Sequence, residues 1–464
     1  MKRDSNLNLI WVLLYFCVYF YLLTGNIWAD EAQKGRWQTI RILDLQTAQW
    51  IALAENANFA ASTARIGQAF AQKEQAHAAY WPTINVSMAA SHYNMSNSLF
   101  EQQLQSARLV NPLAEIDDPV ENYSFNFSIS YVLFDGFLSK HQFLAAKMGH
   151  EITKVQHQNA KRLLLQQVAN LFFRSQLARE NVAIAQANID FYKQKLKEAQ
   201  ARQDIGSGSL SDSLNFQVQL NSAKTTLIQT RELYQLALLE MADALGIPNF
   251  SKSIDLAKLE AEMSEELETP DVQQYIDQAF ENRPDVLLYD KMIKQAKVQE
   301  KASMAYNYPF LKVSAVYQGD RTDNYQWQDD DFGNTVTANL TYPIFSGGYY
   351  QAKTKQARYR IKETENNWQY ISKKIDTQVR QAITSVKAAQ AQLTLQQDNA
   401  KLVKQNRDLV EKEYAAGQNS LVRLNEAQRD LITARSRLAA ALVSLHQAWQ
   451  NLLAATGEIL LAFE

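Results

Sequence analysis

Cysteine is nearly absent from this chain of 464 residues: there is one, Cys17, inside an apolar run close to the N-terminus. With no second thiol a disulfide framework is excluded, so the fold must be held by packing alone. Glycine (14) and proline (8) are scarce while Gln, Ala and Leu abound, a composition that favours long helices. Neither sign of charge prevails, with 47 Lys plus Arg against 49 Asp plus Glu and no long block of either, which leaves no electrostatic footprint for nucleic acid. The six histidines offer no metal set, since His150 and His157 lie seven apart on one predicted helix, about 10 Å along its axis. Gly206-Ser-Gly-Ser209 lacks the lysine and preceding strand of a phosphate loop. Asp329-Asp330-Asp331 reads as a solvated loop before it reads as a cation site. No nucleophile comes with a base, so the sequence describes a non-enzyme with no metal and no cofactor.

Long hydrophobic runs are missing too, except for Leu9 to Leu23. That run follows Lys2 and Arg3 and ends in Thr24-Gly25-Asn26-Ile27-Trp28-Ala29, so residues 1–29 read as a signal peptide cleaved after Ala29. The competing reading is an uncleaved membrane anchor, because Leu9 to Ala29 is nearly long enough to span a bilayer. Export without disulfides points to a bacterial envelope protein.

What the chain does have is a seam. Leu424, Ala427, Leu431, Ala434, Leu438, Ala441, Leu445, Ala448, Leu452 and Ala455 alternate large and small side chains at steps of four and three. This heptad spacing predicts a helix packed along its length, its alanines admitting close approach and its leucines supplying buried area. A second seam precedes it by 211 residues, as Phe216, Leu220, Ala223, Leu227, Thr230, Tyr234, Ala237, Met241 and Ala244. The pairs Phe134/Phe345, Gly206/Gly417 and Gly246/Gly457 keep the same offset. The chain is therefore a tandem repeat.

Each repeat carries a change of period from 3.6 to 2. Tyr123, Phe125, Phe127, Ile129, Tyr131 and Leu133 alternate with Ser124, Asn126, Ser128 and Ser130, giving one aromatic and one small polar face. The predicted first repeat, 30–248, has strands at about 83–93 and 122–134 and long helices at about 137–205 and 209–246. A linker covers 249–270. The second repeat, 271–464, has strands at about 310–319 and 332–343 and helices at about 348–416 and 420–456. The first hairpin is 16 residues longer between its proline and its phenylalanine (Pro82 to Phe134 against Pro309 to Phe345), an excess expected in a long polar loop around Pro112, Asp117, Asp118 and Pro119. Four strands are too few to close a barrel, since the smallest transmembrane barrels need about eight. If these strands sit in a membrane, the chain must oligomerise.

Several motifs, taken in order, carry a resemblance: Tyr342-Pro-Ile-Phe-Ser-Gly-Gly348, Val132-Leu-Phe-Asp-Gly136, Arg283-Pro284-Asp285, the joints Trp81-Pro82 and Tyr308-Pro309, and the turns Gly206-x-x-Ser209-Leu210 and Tyr414-x-x-Gly417-x-x-Ser420-Leu421, with Gln217 and Gln428 downstream. The chain resembles the TolC family of outer-membrane efflux proteins over essentially its whole mature length. The resemblance implies a mainly α fold with a membrane β-barrel: two tandem repeats, each a β-hairpin plus a very long antiparallel helical hairpin. It implies a homotrimer whose twelve strands form one barrel in the outer membrane, continuous with an α-helical periplasmic tunnel. It also implies an export duct without chemistry, opened when a periplasmic adaptor (membrane fusion protein) and an inner-membrane transporter dock at its tip, passing drugs, small molecules or unfolded protein. By that resemblance Gly206, Ser209, Leu210, Gly417, Ser420 and Leu421 form the tip turns and adaptor contacts, with plain turn chemistry as the competing role. Asp212 and Tyr414 match gate positions. Arg423 stands where the best-known pattern has an acid and Asn419 where it has a base, so Arg423 is expected to pair with Asp212 or Glu426. The contrasting function is a structural coiled-coil envelope protein anchored in the inner membrane by an uncleaved Leu9–Ala29.

Overall fold

The computed structural model describes residues 41–247, 255–259, 271–322 and 324–463. The leader at 1–29 and most of the 249–270 segment lie outside the described residues. The chain begins with a short strand β1 (Ile42–Leu43) and helices α1 (Leu45–Glu55) and α2 (Ala57–Ala78). Asp44 and Asn56 start these helices by accepting from Thr47 N at 2.7 Å and Phe59 N at 3.0 Å. Next come β2 (Thr83–Tyr93), α3 (Asn97–Val110), β3 (Val120–Phe134), α4 (Leu138–Asp204) and α5 (Leu210–Leu245). A second short strand, β4 (Asp255–Leu256), pairs in parallel with β1. The order then recurs as α6 (Val272–Asn282), α7 (Pro284–Met304), β5 (Phe310–Thr322), β6 (Phe332–Thr341), α8 (Tyr349–Ala415) and α9 (Leu421–Thr456), closed by a 3₁₀ turn at Glu458–Phe463.

The long helices of the two halves match to the residue. Helices α4 and α8 each have 67 residues, about 100 Å at 1.5 Å per residue, and α5 and α9 each have 36. The loop excess of the first hairpin holds α3, a helix where the polar interval suggested irregular loop. Leu99, Phe100, Leu104 and Ala107 share one side of it among Glu101, Gln102, Gln103 and Gln105, all good helix formers apart from the aromatic. The prolines and aspartates that announce a loop lie only after it.

The Leu/Ala seam is the core. Nine of its ten residues on α9 are buried, Leu438 being the partly buried one, and on α5 Phe216 and Met241 are fully enclosed. α4 packs on α5, α9 on α8, and α4 on α9, so over most of their length the four long helices lie in the order α5, α4, α9, α8, with α8 reaching α4 and α5 near the tip. The strands form one antiparallel sheet ordered β2, β3, β5, β6. Its register aligns Phe127 with Val86 and Tyr317, and Ser128 with Asn85 and Val316, so one face is large and apolar and the other mainly small and polar. A bulge between Val132 and Phe134 returns Phe134 to the face of Leu311. Among the described residues no helix is long and apolar enough to cross a membrane.

At the far end of each helical hairpin, the returning helix meets a joint between two shorter helices. Gly246 (φ 75°) abuts Glu55 and Asn56, where a Cβ would come within 2.5 Å of the Glu55 carbonyl oxygen. Gly457 (φ 87°) abuts Asn282 and Arg283 at 2.9 Å. Asn56 Nδ2 donates to Ala244 O at 2.9 Å, and Arg283 Nη1 donates to Ala455 O at 3.1 Å. Arg283 also grips Asp285 with two bonds, of 2.9 and 2.6 Å, and reaches Gln378 at 3.0 Å. Arg162 donates to Ala454 O at 2.7 Å beside them. Burial, with the Arg283 charge added, pushes Arg162 down to about 10. Burial alone would raise Asp285, but the Arg283 bonds and the two guanidinium charges outweigh it and hold the carboxyl below its usual range.

Candidate functional site

The predicted site lies at the opposite end of the long helices, in two equivalent turns. Gly206 (φ 76°) and Gly417 (φ 74°) adopt the left-handed conformation that ends each long helix. Gly206 N donates to Gln203 O and Ser207 N to Arg202 O, both at 2.9 Å; Gly417 N donates to Tyr414 O at 3.1 Å and Gln418 N to Glu413 O at 2.9 Å. These paired bonds satisfy carbonyls the helix leaves open. Ser209 and Ser420 then cap the returning helices, accepting from Ser211 N at 3.1 Å and Arg423 N at 3.3 Å. Leu210 is exposed and Leu421 half-buried at the first positions of those helices.

Two of the four gate candidates are brought together across the hairpins. Tyr414 Oη donates to Asp212 Oδ2 at 3.1 Å, and Arg202 Nη2 donates to the same phenolic oxygen at 3.4 Å. The Arg202 guanidinium lies 5.3 Å from the Tyr414 ring centre, whose edge meets Phe216 at 6.1 Å. Burial pushes the Tyr414 hydroxyl up and the Asp212 charge adds to it, so the phenol keeps the proton it donates. Arg423 does not reach Asp212. Its Nη1 lies 3.5 Å from Glu426 Oε2, one turn along the same helix and exposed on both sides. Asn419 turns back to Glu413 at 2.9 Å.

Sequence reasoning missed Arg202 and the cluster above it. Lys195, 5% exposed, bonds Glu198 at 2.9 Å on its own helix and Glu411 at 2.8 Å on α8. Glu411 also receives Arg407 at 2.6 Å, and both cations sit near the Phe191 ring. Burial by itself would lower Lys195, but the bonds from Glu411 and Glu198 raise it, so the ammonium stays charged. The seam between hairpins is amide-rich: Gln428 Nε2 donates to Asn188 Oδ1, and Asn425 Nδ2 to Asn215 Oδ1, each at 2.9 Å. The one available signal was position: Arg202 stands one turn before Gly206, as Glu413 stands one turn before Gly417.

The remaining polar candidates are occupied within the fold. His157 Nδ1 lies 2.7 Å from Ser62 Oγ with its ring stacked on Phe59, and His150 meets the edge of Phe70. Asp331 takes Arg321 at 3.0 Å and the Gln328 N–H at 2.7 Å.

An open layer of long helices joined to a two-faced sheet, with its polar contacts gathered at the turns, has a known counterpart. The family profile described as "Outer membrane efflux protein" matches residues 51–247 and 275–458. The chain belongs to the outer membrane efflux protein family. Among its relatives, the pyoverdine export outer membrane protein OpmQ of Pseudomonas aeruginosa is 22% identical over 419 residues, 89% of this chain and 85% of the relative. The alkaline protease secretion protein AprF of the same species is 24% identical over 295 residues, 62% and 60% of the two chains. The crystal structure of the Campylobacter jejuni CmeC outer membrane channel superposes with a TM-score of 0.75 at 16% identity, covering 93% of this chain and 90% of that one. This outer membrane efflux protein is thus an outer-membrane channel with a periplasmic helical extension, working in an export system. The family is one of channels, not enzymes.

Proposed function

We propose that three copies of this chain close into one duct, a twelve-stranded barrel above and a helical tunnel below, whose tip is opened by a periplasmic adaptor and an inner-membrane transporter. The observation that carries the reading is that every layer of the protomer ends in an unfinished edge. β2 and β6 each lack a neighbour on one side, with Val86, Met88, Val336 and Leu340 58% to 76% exposed. In lipid an open strand edge costs several kcal/mol for each unpaired backbone group. The helical layer ends likewise in α5 and α8, where Leu395, Leu402 and Leu409 form a second heptad stripe, 56% to 68% exposed, distinct from the buried seam. A neighbour's α5, with Leu214, Val218 and Ile228 exposed, supplies apolar surface of the same kind. Closure buries all four edges.

The tip residues Gly206, Ser209, Leu210, Gly417, Ser420 and Leu421 then present two copies of one turn per chain to the adaptor, and Asp212, Tyr414, Arg423 and Glu426 hold the closed state. The cargo is a drug, a small molecule or an unfolded protein; names of relatives include both pyoverdine export and alkaline protease secretion. Chemical cross-linking of the purified full chain tests closure. Trimers are expected for the wild type and monomers for Leu395→Asp with Leu402→Asp; a wild type that stays monomeric in detergent and in lipid would overturn the reading. Deletion of the gene, scored for drug sensitivity and for secreted protein, decides the cargo.

A further inference from the structure

Ion pairs tie Lys195 and Arg407 to Glu411 near the tip, and Arg321 to Asp331 at the sheet end away from the helices. Around the 3₁₀ turn Ala305–Asn307, which joins α7 to β5, stand three lysines that have no ion pair among the described residues. Lys140 lies over the Phe137 ring at 5.9 Å, and Lys353 over the Tyr306 ring at 4.1 Å. Lys301 is exposed one turn before the 3₁₀ turn. The start of α4 is pressed onto the same spot, because a Cβ on Gly136 would collide with the Ala305 carbonyl oxygen. Carboxylates of the adjoining turns are already engaged: Asp135 accepts from Ser139 N at 2.7 Å, and Glu300 holds Arg358 at 2.9 Å.

The aromatic residues here mark a depth. Phe134, returned to the apolar face of the sheet by the bulge, meets Phe137 at 5.5 Å, and Phe137 meets Tyr308 at 6.4 Å. Phe137 and Tyr308 are half exposed, and Phe137 is held at φ 68°, the one described non-glycine residue with a positive φ. Large rings on the apolar side of membrane strands, at the end where strands pass into helices, take the place of an interfacial girdle. Lysine stems running over such rings put the ammonium groups beyond them, toward the headgroups.

We propose that Lys140, Lys301 and Lys353 form a binding site for the phosphate of anionic phospholipid headgroups in the leaflet facing the periplasm, with Phe137 and Tyr308 at the acyl boundary. The site rests on the reading of the sheet as part of a membrane barrel. Three lysines around one turn, none of them in an ion pair among the described residues, favour an anion beside them; a lipid phosphate supplies that anion where the rings already place the membrane. The tyrosine hydroxyl of Tyr308 adds a neutral donor.

The test uses the full chain in detergent micelles, titrated with short-chain phosphatidylglycerol and, separately, phosphatidylcholine. Saturable binding of phosphatidylglycerol is expected, weakening with added salt, and falling about fivefold for each lysine removed in the series Lys140→Gln, Lys301→Gln and Lys353→Gln. Lys401→Gln with Lys404→Gln, far down α8, is expected to leave it unchanged. Equal affinity for the two lipids, or full binding by the triple variant, would overturn the site. So would a triple variant that binds lipid normally but changes the cation–anion selectivity of the reconstituted channel, since that places the lysines in the lumen. Failure of the wild type to insert into vesicles at all is a separate result, one that sinks the membrane reading first.

Discussion

The joints at which the two returning helices dock solve one problem in two ways. At equivalent positions Asn56 and Arg283 donate to equivalent last-turn carbonyls, of Ala244 and Ala455. In the first repeat a neutral amide does this and needs nothing more. The second repeat uses a guanidinium that is 4% exposed, so it must also hold Asp285, and it has Arg162 beside it. An amide lost leaves one carbonyl unpaired and the Phe59 N–H uncapped, whereas an arginine lost leaves a largely buried carboxylate with weaker compensation. The same geometry thus carries different stakes, and the repeats are expected to fail at different cost.

The largest effect is expected for Arg283→Ala, which should cost about 3–5 kcal/mol as a broken buried ion pair. Asn56→Ala, which removes one neutral bond and the α2 cap, should cost about 2 kcal/mol. Denaturant unfolding of the purified full chain measures both; equal losses would erase the contrast. Next come the glycines. Gly246→Ala and Gly457→Ala combine a left-handed φ with backbone already at 2.5 and 2.9 Å from the new Cβ, while Gly206→Ala and Gly417→Ala meet nothing within 4 Å. The tip variants should therefore lose about 1 kcal/mol for φ alone, and the joint variants more than about twice that. A joint alanine as mild as a tip alanine would mean that the docking of the returning helix is loose.

The joints should also separate by pH. Asp285 has a depressed carboxyl, so its contribution is complete above the unfolded value of about 3.9 and is lost as pH falls through the lower folded value. In Asp285→Asn that acid-side loss should vanish, at the cost of lower stability near neutrality. The Asn56 side chain bonds two backbone groups, Ala244 O and Phe59 N, so Asn56→Ala should leave the acid profile as in the wild type. Unfolding curves from neutral pH down to about 3 give the comparison.

Why some of this was legible in the sequence and some was not follows from range. Heptad spacing and the 211-residue echo are local and periodic, and they fixed long helical hairpins and two-faced strands in two repeats. Leu424 and Phe216 could be assigned to a seam because a helix face repeats along its own chain. The partner of Tyr414 is another matter, since Asp212 lies 202 residues away. Hairpin-to-hairpin contact depends on which face meets which, and a periodic pattern carries no such information. Arg202 and Lys195 escaped for that reason: each reads as an ordinary solvated cation until α8 is set against α4. The helix α3 escaped for the opposite reason, being followed by Pro112, Asp117 and Pro119, whose loop signal outweighed its short run of helix formers.

The smallest effects belong to the tip, where the repeats differ in charge. Asp212 in the first repeat corresponds to Arg423 in the second. Asp212 reaches across to Tyr414, whereas Arg423 stays on its own helix with Glu426, and a pair this exposed is worth under about 1 kcal/mol. Stability will not register such a difference, but a gate near balance will, because a small bias moves the open fraction severalfold. Tyr414→Phe and Asp212→Asn each weaken a contact between hairpins, so single-channel conductance in bilayers should rise for both. Arg423→Ala should raise it less. If Arg423→Ala leaves both conductance and drug sensitivity unchanged, Arg423 has no part in gating, and the bias toward the closed tip comes from the first repeat's carboxylate acting through Tyr414.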